Sequence, residues 1–123
     1  MANEITLNLS MSVSKGFLTA SRAVQPLRVT MAGTRYSDNG QAIGFAAHEQ
    51  VVIGADVGTE GYAFFRNLDA TNFVQIGVDV SGTFYPFAKL KAGEAAVLRL
   101  ATGTIYAKAD TASVDLAAWV LED

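Results

Sequence analysis

The sequence contains no cysteine, two prolines and a single histidine in 123 residues, and only 17% of its residues are charged. The absence of cysteine excludes disulfide bonds and thiolate metal sites, and leaves the redox compartment undetermined. A nucleophilic triad or a histidine metal site would have to be built on His48 alone. A charged fraction below the usual ~25% indicates either a surface partly covered by another copy or a partner, or simply a domain rich in alanine and glycine.

Long apolar runs and strong positive charge are also missing. No stretch approaches the ~18 consecutive apolar residues of a membrane-spanning helix. The net charge of −3 disfavours nucleic-acid binding, which needs a basic face. The N-terminus lacks a basic start followed by an unbroken apolar run, so we expect no signal peptide and folding in a cytoplasm. We therefore expect neither a membrane nor a nucleic acid as a partner.

The few charges are unevenly distributed along the chain. Residues 1–37 contain four basic residues and one acidic residue, whereas the remainder contains five basic and eleven acidic residues. Opposite net charges of this kind attract one another, within one subunit or between subunits. Chance variation in a short chain is the alternative interpretation.

The strongest strand pattern is the unbroken alternation of residues 5–14. Its polar face carries serine, threonine and asparagine without a charge, and free sheet edges usually carry lysine or proline to prevent pairing. Two hypotheses follow: this strand pairs within its own sheet, or residues 1–14 form a contact strand that reaches another subunit. The apolar face consists of Ile5, Leu7, Leu9, Met11 and Val13.

Residues 61–79, GYAFFRNLDATNFVQIGVD, read as strand, tight turn and strand. Asp69 and Asn72 bracket the turn, because their short side chains bond local backbone groups and tolerate unusual dihedral angles. The flanking residues are aromatic or β-branched and alternate with polar ones. We expect this segment to be a β-hairpin at the centre of the core.

Turn signals recur every eight to twelve residues along the chain. This spacing predicts one all-β domain over residues 1–123, an antiparallel sandwich or barrel of about eight to ten short strands. Residues 33–40 read as a surface loop that ends in an Asn39-Gly40 turn. Residues 94–101 would suit a helix by propensity, but the glycine before them and the Thr-Gly-Thr after them favour a strand.

The candidate chemistry is sparse. His48 with Glu49 and Asp56 is a weak metal site without a spaced second histidine, and carboxylates at turns have solvation as their ordinary explanation. Trp119 falls on the more polar face of the last strand, where it is a contact anchor, a core residue or a ligand platform. We predict no catalytic, cofactor-binding or metal-binding residue.

Three stretches resemble small structural proteins of tailed bacteriophages. They are residues 61–79 above, FYPFAKLKAGEAAVLRLATGTIYAKADTASVDLAAWVLED and, more weakly, MAGTRYSDNGQAIG, which together span roughly residues 31–123. The resemblance implies a jelly-roll-type β-sandwich in the virion, assembled in the host cytoplasm, without catalytic residues. It implies a capsid decoration (cement) protein or another head or tail accessory protein.

Three functional hypotheses follow. The first is a non-enzymatic decoration protein that binds the major capsid protein as a dimer or trimer and stabilises the capsid lattice. The second is a tail or fibre protein, or a lectin-like module that binds glycan through tyrosine and tryptophan, and the third is a small hydrolase. The predicted contact residues for the first hypothesis are Ile5, Leu7, Leu9, Met11, Val13, Trp119 and Leu121.

Overall fold

A computed structural model describes residues 2–123, and within this range the chain forms ten β-strands and no helix. No segment of the described chain is a helix long and apolar enough to cross a membrane. The chain divides into two compact units, Met1–Ala32 and Gly33–Asp123. We call the described part of the first unit the arm and the second unit the sandwich. The sandwich therefore spans residues 33–123, whereas the sequence predicted one sandwich domain over 1–123 with residues 1–14 as a possible contact strand.

The arm is a long two-stranded antiparallel hairpin. Strand β1 (Ile5–Lys15) pairs with β2 (Leu18–Val29) around a tip at Gly16, whose φ of 58° suits a glycine. The register shifts between Leu7 and Leu9, opposite the position of Pro26, so the proline interrupts β2 without ending it. The alternation predicted for residues 5–14 is confirmed as a strand, and within the described chain it pairs in its own sheet.

The sandwich consists of eight strands in two four-stranded antiparallel sheets. One sheet has the order β3-β10-β5-β8 and the other the order β4-β9-β6-β7. The pairing is nested: β3 pairs with β10, β4 with β9, β5 with β8 and β6 with β7. The strands are β3 (Tyr36–Ile43), β4 (Glu49–Gln50), β5 (Glu60–Asn67), β6 (Val74–Val80), β7 (Thr83–Leu90), β8 (Ala95–Arg99), β9 (Tyr106–Ala109) and β10 (Val114–Glu122).

The core lies between the two sheets of the sandwich. Alternate residues of each strand point inward, because successive side chains of a strand lie on opposite faces. In β10 the inward residues are completely or almost completely buried, and the residues between them face outward. The largest buried apolar side chains are Phe65, Ile43, Ile76, Leu116, Val51, Val74, Val114 and Val120.

The hairpin predicted for residues 61–79 is wrong in its pairing. Strands β5 and β6 lie in different sheets, so the turn between them crosses from one layer to the other. Asn67 is fully buried at the start of the turn, and its side-chain NH2 donates to the carbonyls of Asn72 (2.9 Å) and Leu90 (3.0 Å). Its side-chain oxygen accepts from the backbone N–H of Asp69 at 2.8 Å. These bonds provide partners for backbone groups in and beside the turn that joins the two sheets. Strands β5 and β6 do contribute Phe65 and Ile76 to the core, as predicted.

Strands β3 and β8 cover two segments for which the sequence made specific predictions. Residues 33–40 are not a loop throughout, because β3 begins at Tyr36 and continues through Asn39 and Gly40. These two residues pair with Ala118 and Ala117 of β10, so a long-range partner overrides the local turn signal. The preference for a strand over a helix near 94–101 is confirmed by β8.

Candidate functional site

The arm has one apolar face that remains accessible. Residues opposite each other in an antiparallel pair share a face. The register therefore places Leu9 beside Val24 and Val13 beside Ala20 on the side that also carries Met11, with Arg22 opposite Met11 as the one charged residue among these pairs. Met11 is 75% exposed, and Leu9, Val13 and Val24 are also exposed. Ile5 and Leu7 lie on the same face and are half-buried. We call this surface the arm's apolar face.

The other face of the arm is polar. Ser10, Ser12 and Ser14 pair there with Ala23, Ser21 and Thr19. Charge in the unit is positive: residues 1–32 contain three basic residues and one acidic residue, a net charge of +2. Residues 33–123 contain six basic and eleven acidic residues, a net charge of −5. The charge asymmetry predicted from the sequence therefore coincides with the division into two units.

The sandwich has a second accessible apolar surface, on the outer side of the sheet β3-β10-β5-β8. Trp119 of β10 pairs with Phe64 of β5, which pairs with Val97 of β8. Tyr36 of β3 pairs with Leu121 of β10 in the neighbouring row. Trp119 is 46% exposed, and Tyr36 and Phe64 are also exposed. We call the outer side of this sheet the aromatic face.

Charges on the aromatic face are divided between its two halves. Asp38 lies on β3 and pairs with Trp119, whereas Arg66 lies on β5 and Arg99 on β8. Arg99 donates to the carboxylate of Asp123 (2.9 Å) and lies 4.7 Å from the centre of the Tyr62 ring. The edge strand β3 therefore carries an acidic residue and the edge strand β8 a basic one, while Asp115 of β10 and Glu60 of β5 lie on the same side of the sheet between them.

The seven predicted contact residues fall on two separate surfaces. Trp119 and Leu121 lie on the aromatic face, and the exposure of Trp119 excludes the interpretation as a core residue. The other five, Ile5, Leu7, Leu9, Met11 and Val13, lie on the arm's apolar face. Strand periodicity was sufficient to group each set.

His48 takes part in a cluster that the sequence did not predict. Its Nε2 lies 2.5 Å from the Oδ2 atom of Asp79, and its ring stacks on Phe84 with centroids 5.2 Å apart. Tyr106 meets the same ring edge-on at 5.5 Å. The hydrogen bond from His48, followed by the one from the Gly82 N–H, holds the pKa of Asp79 below its ordinary value. Because His48, the paired residues Asp79 and Phe84, and Tyr106 come from three separate parts of the chain, no local motif reveals this cluster.

The weak candidate metal site of His48, Glu49 and Asp56 is not assembled among the described residues. The Glu49 carboxylate accepts from the Gly44 N–H at 2.9 Å and from the Gln41 side chain at 3.3 Å. Among residues 2–123 no group of three or more His, Cys, Asp or Glu side chains is placed to hold a metal ion. The Asp79 carboxylate instead bonds to both His48 and the Gly82 N–H, and so connects the loop before β4 to the turn between β6 and β7.

Two other carboxylates serve as caps for backbone N–H groups. Glu122 accepts from Gly58 (2.9 Å) and Thr34 (3.1 Å), and these bonds lower its pKa. Asp69 accepts from Asn72 (2.6 Å) and Thr71 (2.9 Å), which lowers its pKa in the same way. Asp69 agrees with the interpretation of acidic residues as turn carboxylates, whereas Glu122 lies at the end of β10 and caps Gly58 and Thr34 outside the strands.

The arm's apolar face and the aromatic face both expose large apolar side chains, and they are therefore the candidate binding surfaces among the described residues. A binding surface of this kind is defined by its shape, exposure and charge rather than by a short motif. The chain matches no protein-family model, no curated protein and no solved structure.

Proposed function

We propose that this chain is a non-enzymatic bacteriophage virion structural protein, a capsid decoration (cement) protein that binds the major capsid protein through the arm's apolar face. The observation that carries the proposal is the exposure of that face, where Met11 is 75% exposed beside Leu9 and Val24. Contiguous exposed apolar surface on a folded protein marks a site for a partner. The partner is therefore expected to cover the arm in the virion.

The energetics of a two-stranded hairpin support this assignment. A single hairpin is at best marginally stable in water, because it has no second layer against which to bury its apolar side. Burial contributes roughly 25 cal/mol for each Å² of apolar surface. A partner that covers Leu9, Met11 and Val13 therefore stabilises the arm and the complex at the same time.

The strand order of the sandwich supports the proposal at the level of architecture. The nested pairing of β3 with β10 through β6 with β7 is that of a long hairpin rolled into two sheets, as in a jelly roll. Jelly rolls occur in viral capsid domains and in lectins. Because one fold carries many functions, the role is assigned from the arm's apolar face and not from the fold.

A lattice of partners explains how a modest contact becomes stable. Many copies bound to a symmetric shell contribute simultaneous contacts, especially where one copy touches two neighbouring capsid subunits. The net charge of +2 on the arm favours an acidic surface patch as its docking site. The proposed partner is a protein, and neither nucleic acid nor a cofactor enters the proposal.

Copy number on purified particles tests the assignment. We expect quantitative mass spectrometry to find this chain in hundreds of copies per virion, comparable to a major capsid protein on a symmetric lattice. A dozen copies or fewer would place the chain in the tail and contradict the decoration role.

Binding of variants to particles that lack the chain tests the arm. We expect the double variant Leu9→Ser with Met11→Ser to bind at least about tenfold more weakly, since two exposed apolar contacts are removed. The matched control is Ser10→Ala with Ser12→Ala on the polar face of the same strand, which should bind normally. Equal binding by both double variants would contradict the assignment of the apolar face.

A lectin-like or tail-fibre function is the second candidate, favoured by the exposed rings of Trp119 and Tyr36. Glycan sites combine an aromatic platform with several convergent polar groups, whereas Trp119 has Phe64 on one side and a single carboxylate, that of Asp38, on the other. A glycan array with Trp119→Ala as the control distinguishes the two functions. Binding that disappears in the variant would replace the decoration role with glycan recognition.

A further inference from the structure

We infer that the aromatic face is a two-fold interface between two copies of this chain, with Trp119 of each copy packed on Phe64 of the other. The face carries exposed aromatic side chains at its centre and opposite charges at its two edges. This dimer interface lies on the sandwich alone and is independent of the capsid contact proposed for the arm. Either contact can be absent while the other is present.

The strand order decides which symmetry suits the face. In the sheet β3-β10-β5-β8 the centre lies between β10 and β5, where Trp119 and Phe64 are direct neighbours. A two-fold axis that runs parallel to the strands through this centre places β3 opposite β8 of the partner and β10 opposite β5. The two rings of one copy then meet the same two rings of the other in exchanged order, as an isologous interface requires.

The charges become complementary under the same operation. Asp38 on β3 comes to lie over the partner's basic edge, next to Arg99 and diagonally across from Arg66. An axis perpendicular to the strands would instead place β3 over β3 and bring the two Asp38 side chains to the same edge. Complementary charges steer association and fix orientation, so the parallel axis is favoured.

The neighbouring rows fit this arrangement. Tyr36 on β3 lies in the row of the partner's Arg99, and tyrosine faces attract guanidinium groups. Ala117 on β10 comes opposite the partner's Arg66, where a small residue leaves room for a long side chain. The half-buried Leu121 lies next to the partner's Tyr62.

The size of the face is sufficient for a reversible dimer. Four strands at ~4.8 Å spacing and three outward rows give a surface on the order of 500 Å² per copy once side-chain relief is included. The pair then buries about 1,000 Å², the lower limit for a specific interface. We therefore expect a dimer that dissociates at micromolar concentration rather than an obligate one.

The chain contains one tryptophan, so Trp119 reports on its own burial. We expect sedimentation of the full chain to show a monomer–dimer equilibrium between about 1 and 100 μM, with Trp119 emission moving to shorter wavelength as the dimer forms. Trp119→Lys should be monomeric, and its fold can be checked by circular dichroism. The matched control is Tyr85→Lys, another exposed aromatic residue outside the aromatic face, which should still dimerise.

A charge exchange tests the symmetry itself. Asp38→Arg and Arg66→Asp should each weaken the dimer about tenfold or more, because each homodimer brings like charges together. An equimolar mixture of the two variants should associate at least about tenfold more tightly than either variant alone, since the mixed pair restores both opposite-charge contacts between positions 38 and 66 and keeps only one like-charge contact, at Arg99. Neither variant alters the arm.

Several results would overturn the inference. They are a wild-type chain that stays monomeric at about 100 μM, a trimer, a dimer that persists in Trp119→Lys, and a mixture of the charge variants that fails to associate. Loss of the dimer in the Leu9→Ser and Met11→Ser arm variant, with Trp119→Lys still dimeric, would move self-association to the arm. Trp119 emission that responds to glycan and not to concentration would assign the face to glycan binding.

Discussion

The arm and the sandwich are built from the same amphipathic strand pattern and differ in what covers the apolar side. Leu9 on β1 and Leu116 on β10 both lie on the apolar side of an alternating strand. Leu116 is completely buried because a second sheet packs on it, whereas Leu9 is exposed. Alternation determines which residues share a face, and the topology determines whether that face is used for folding or remains available for a partner.

Truncation of these two leucines should give the largest difference between the regions. We expect Leu116→Ala to lower the free energy of unfolding of the sandwich by about 3 kcal/mol, through lost burial and the cavity left behind. Leu9→Ala should change it by less than about 0.5 kcal/mol, because little burial is lost at an exposed position. Urea unfolding followed by Trp119 fluorescence measures the sandwich transition directly. Equal losses would mean that Leu9 is covered in the free chain.

Removal of a buried amide should give the next largest effect. Asn67→Ala leaves the Asn72 and Leu90 carbonyls and the Asp69 N–H without their partner, and we expect a loss of about 2–3 kcal/mol. Asn8→Ala on the polar face of the arm is the matched control and should leave the same urea transition unchanged. A loss below about 0.5 kcal/mol for Asn67→Ala would show that this side chain does not hold the crossing between the sheets.

Acidification should give a smaller effect, and its sign follows from the capping carboxylates. Hydrogen bonds lower the pKa of Glu122, Asp69 and Asp79 in the folded sandwich. A depressed folded-state pKa contributes stability above the unfolded-state value, and this contribution is lost as the pH falls through the folded-state value. We therefore expect the urea midpoint of the sandwich to decline below the ordinary values of 4.5 for Glu and 3.8 for Asp.

The variant Glu122→Gln should reduce this decline, because it removes the titrating group that caps Gly58 and Thr34. Glu4→Gln is the matched control in the arm. The Glu4 carboxylate also has a lowered pKa, owing chiefly to the Met31 N–H. The sandwich transition of Glu4→Gln should follow the wild-type pH dependence. A pH profile that Glu122→Gln leaves unchanged would contradict the capping role.

The all-β class and the grouping of residues on faces were readable from the sequence, because a strand's period of two is a local property. The alternation of residues 5–14 followed from it, and it placed Trp119 on the more polar face of the last strand while leaving a core position open. The strand near 94–101 followed from its flanking glycine and threonine residues.

The pairing of strands was not readable, because pairing depends on distant residues. Residues 61–79 have the local form of a hairpin, yet β5 pairs with β8 and β10, and β6 pairs with β7 and β9. The Asn67 side chain donates a hydrogen bond to the Leu90 carbonyl and so helps to hold the crossing between the sheets. In the sequence Asn67 looks like an ordinary turn residue, and nothing there indicates this role. The turn predicted at Asn39-Gly40 was wrong for the same reason, because these residues pair with β10, which lies far along the chain.

The candidate site was readable in part. The apolar face of β1 could be drawn from the sequence, but the second strand of the arm could not be registered against it because Pro26 and the shift after Leu7 disturb the pattern. The aromatic face joins Tyr36, Phe64, Val97 and Trp119 from four strands, and only the sheet order brings them together. The cluster around His48 depends in the same way on residues far apart in sequence.

Hydrogen exchange of the full chain, free and bound to particles, tests most directly whether the arm is an uncovered docking surface. We predict that amides of β1 and β2 exchange rapidly in the free chain, because a two-stranded sheet opens easily, while those of β5 and β10 exchange slowly. On particles the arm should become at least about tenfold slower, and the core strands should hardly change. Arm amides as slow as those of β10 in the free chain, or an arm that stays fast on particles, would contradict the proposed role.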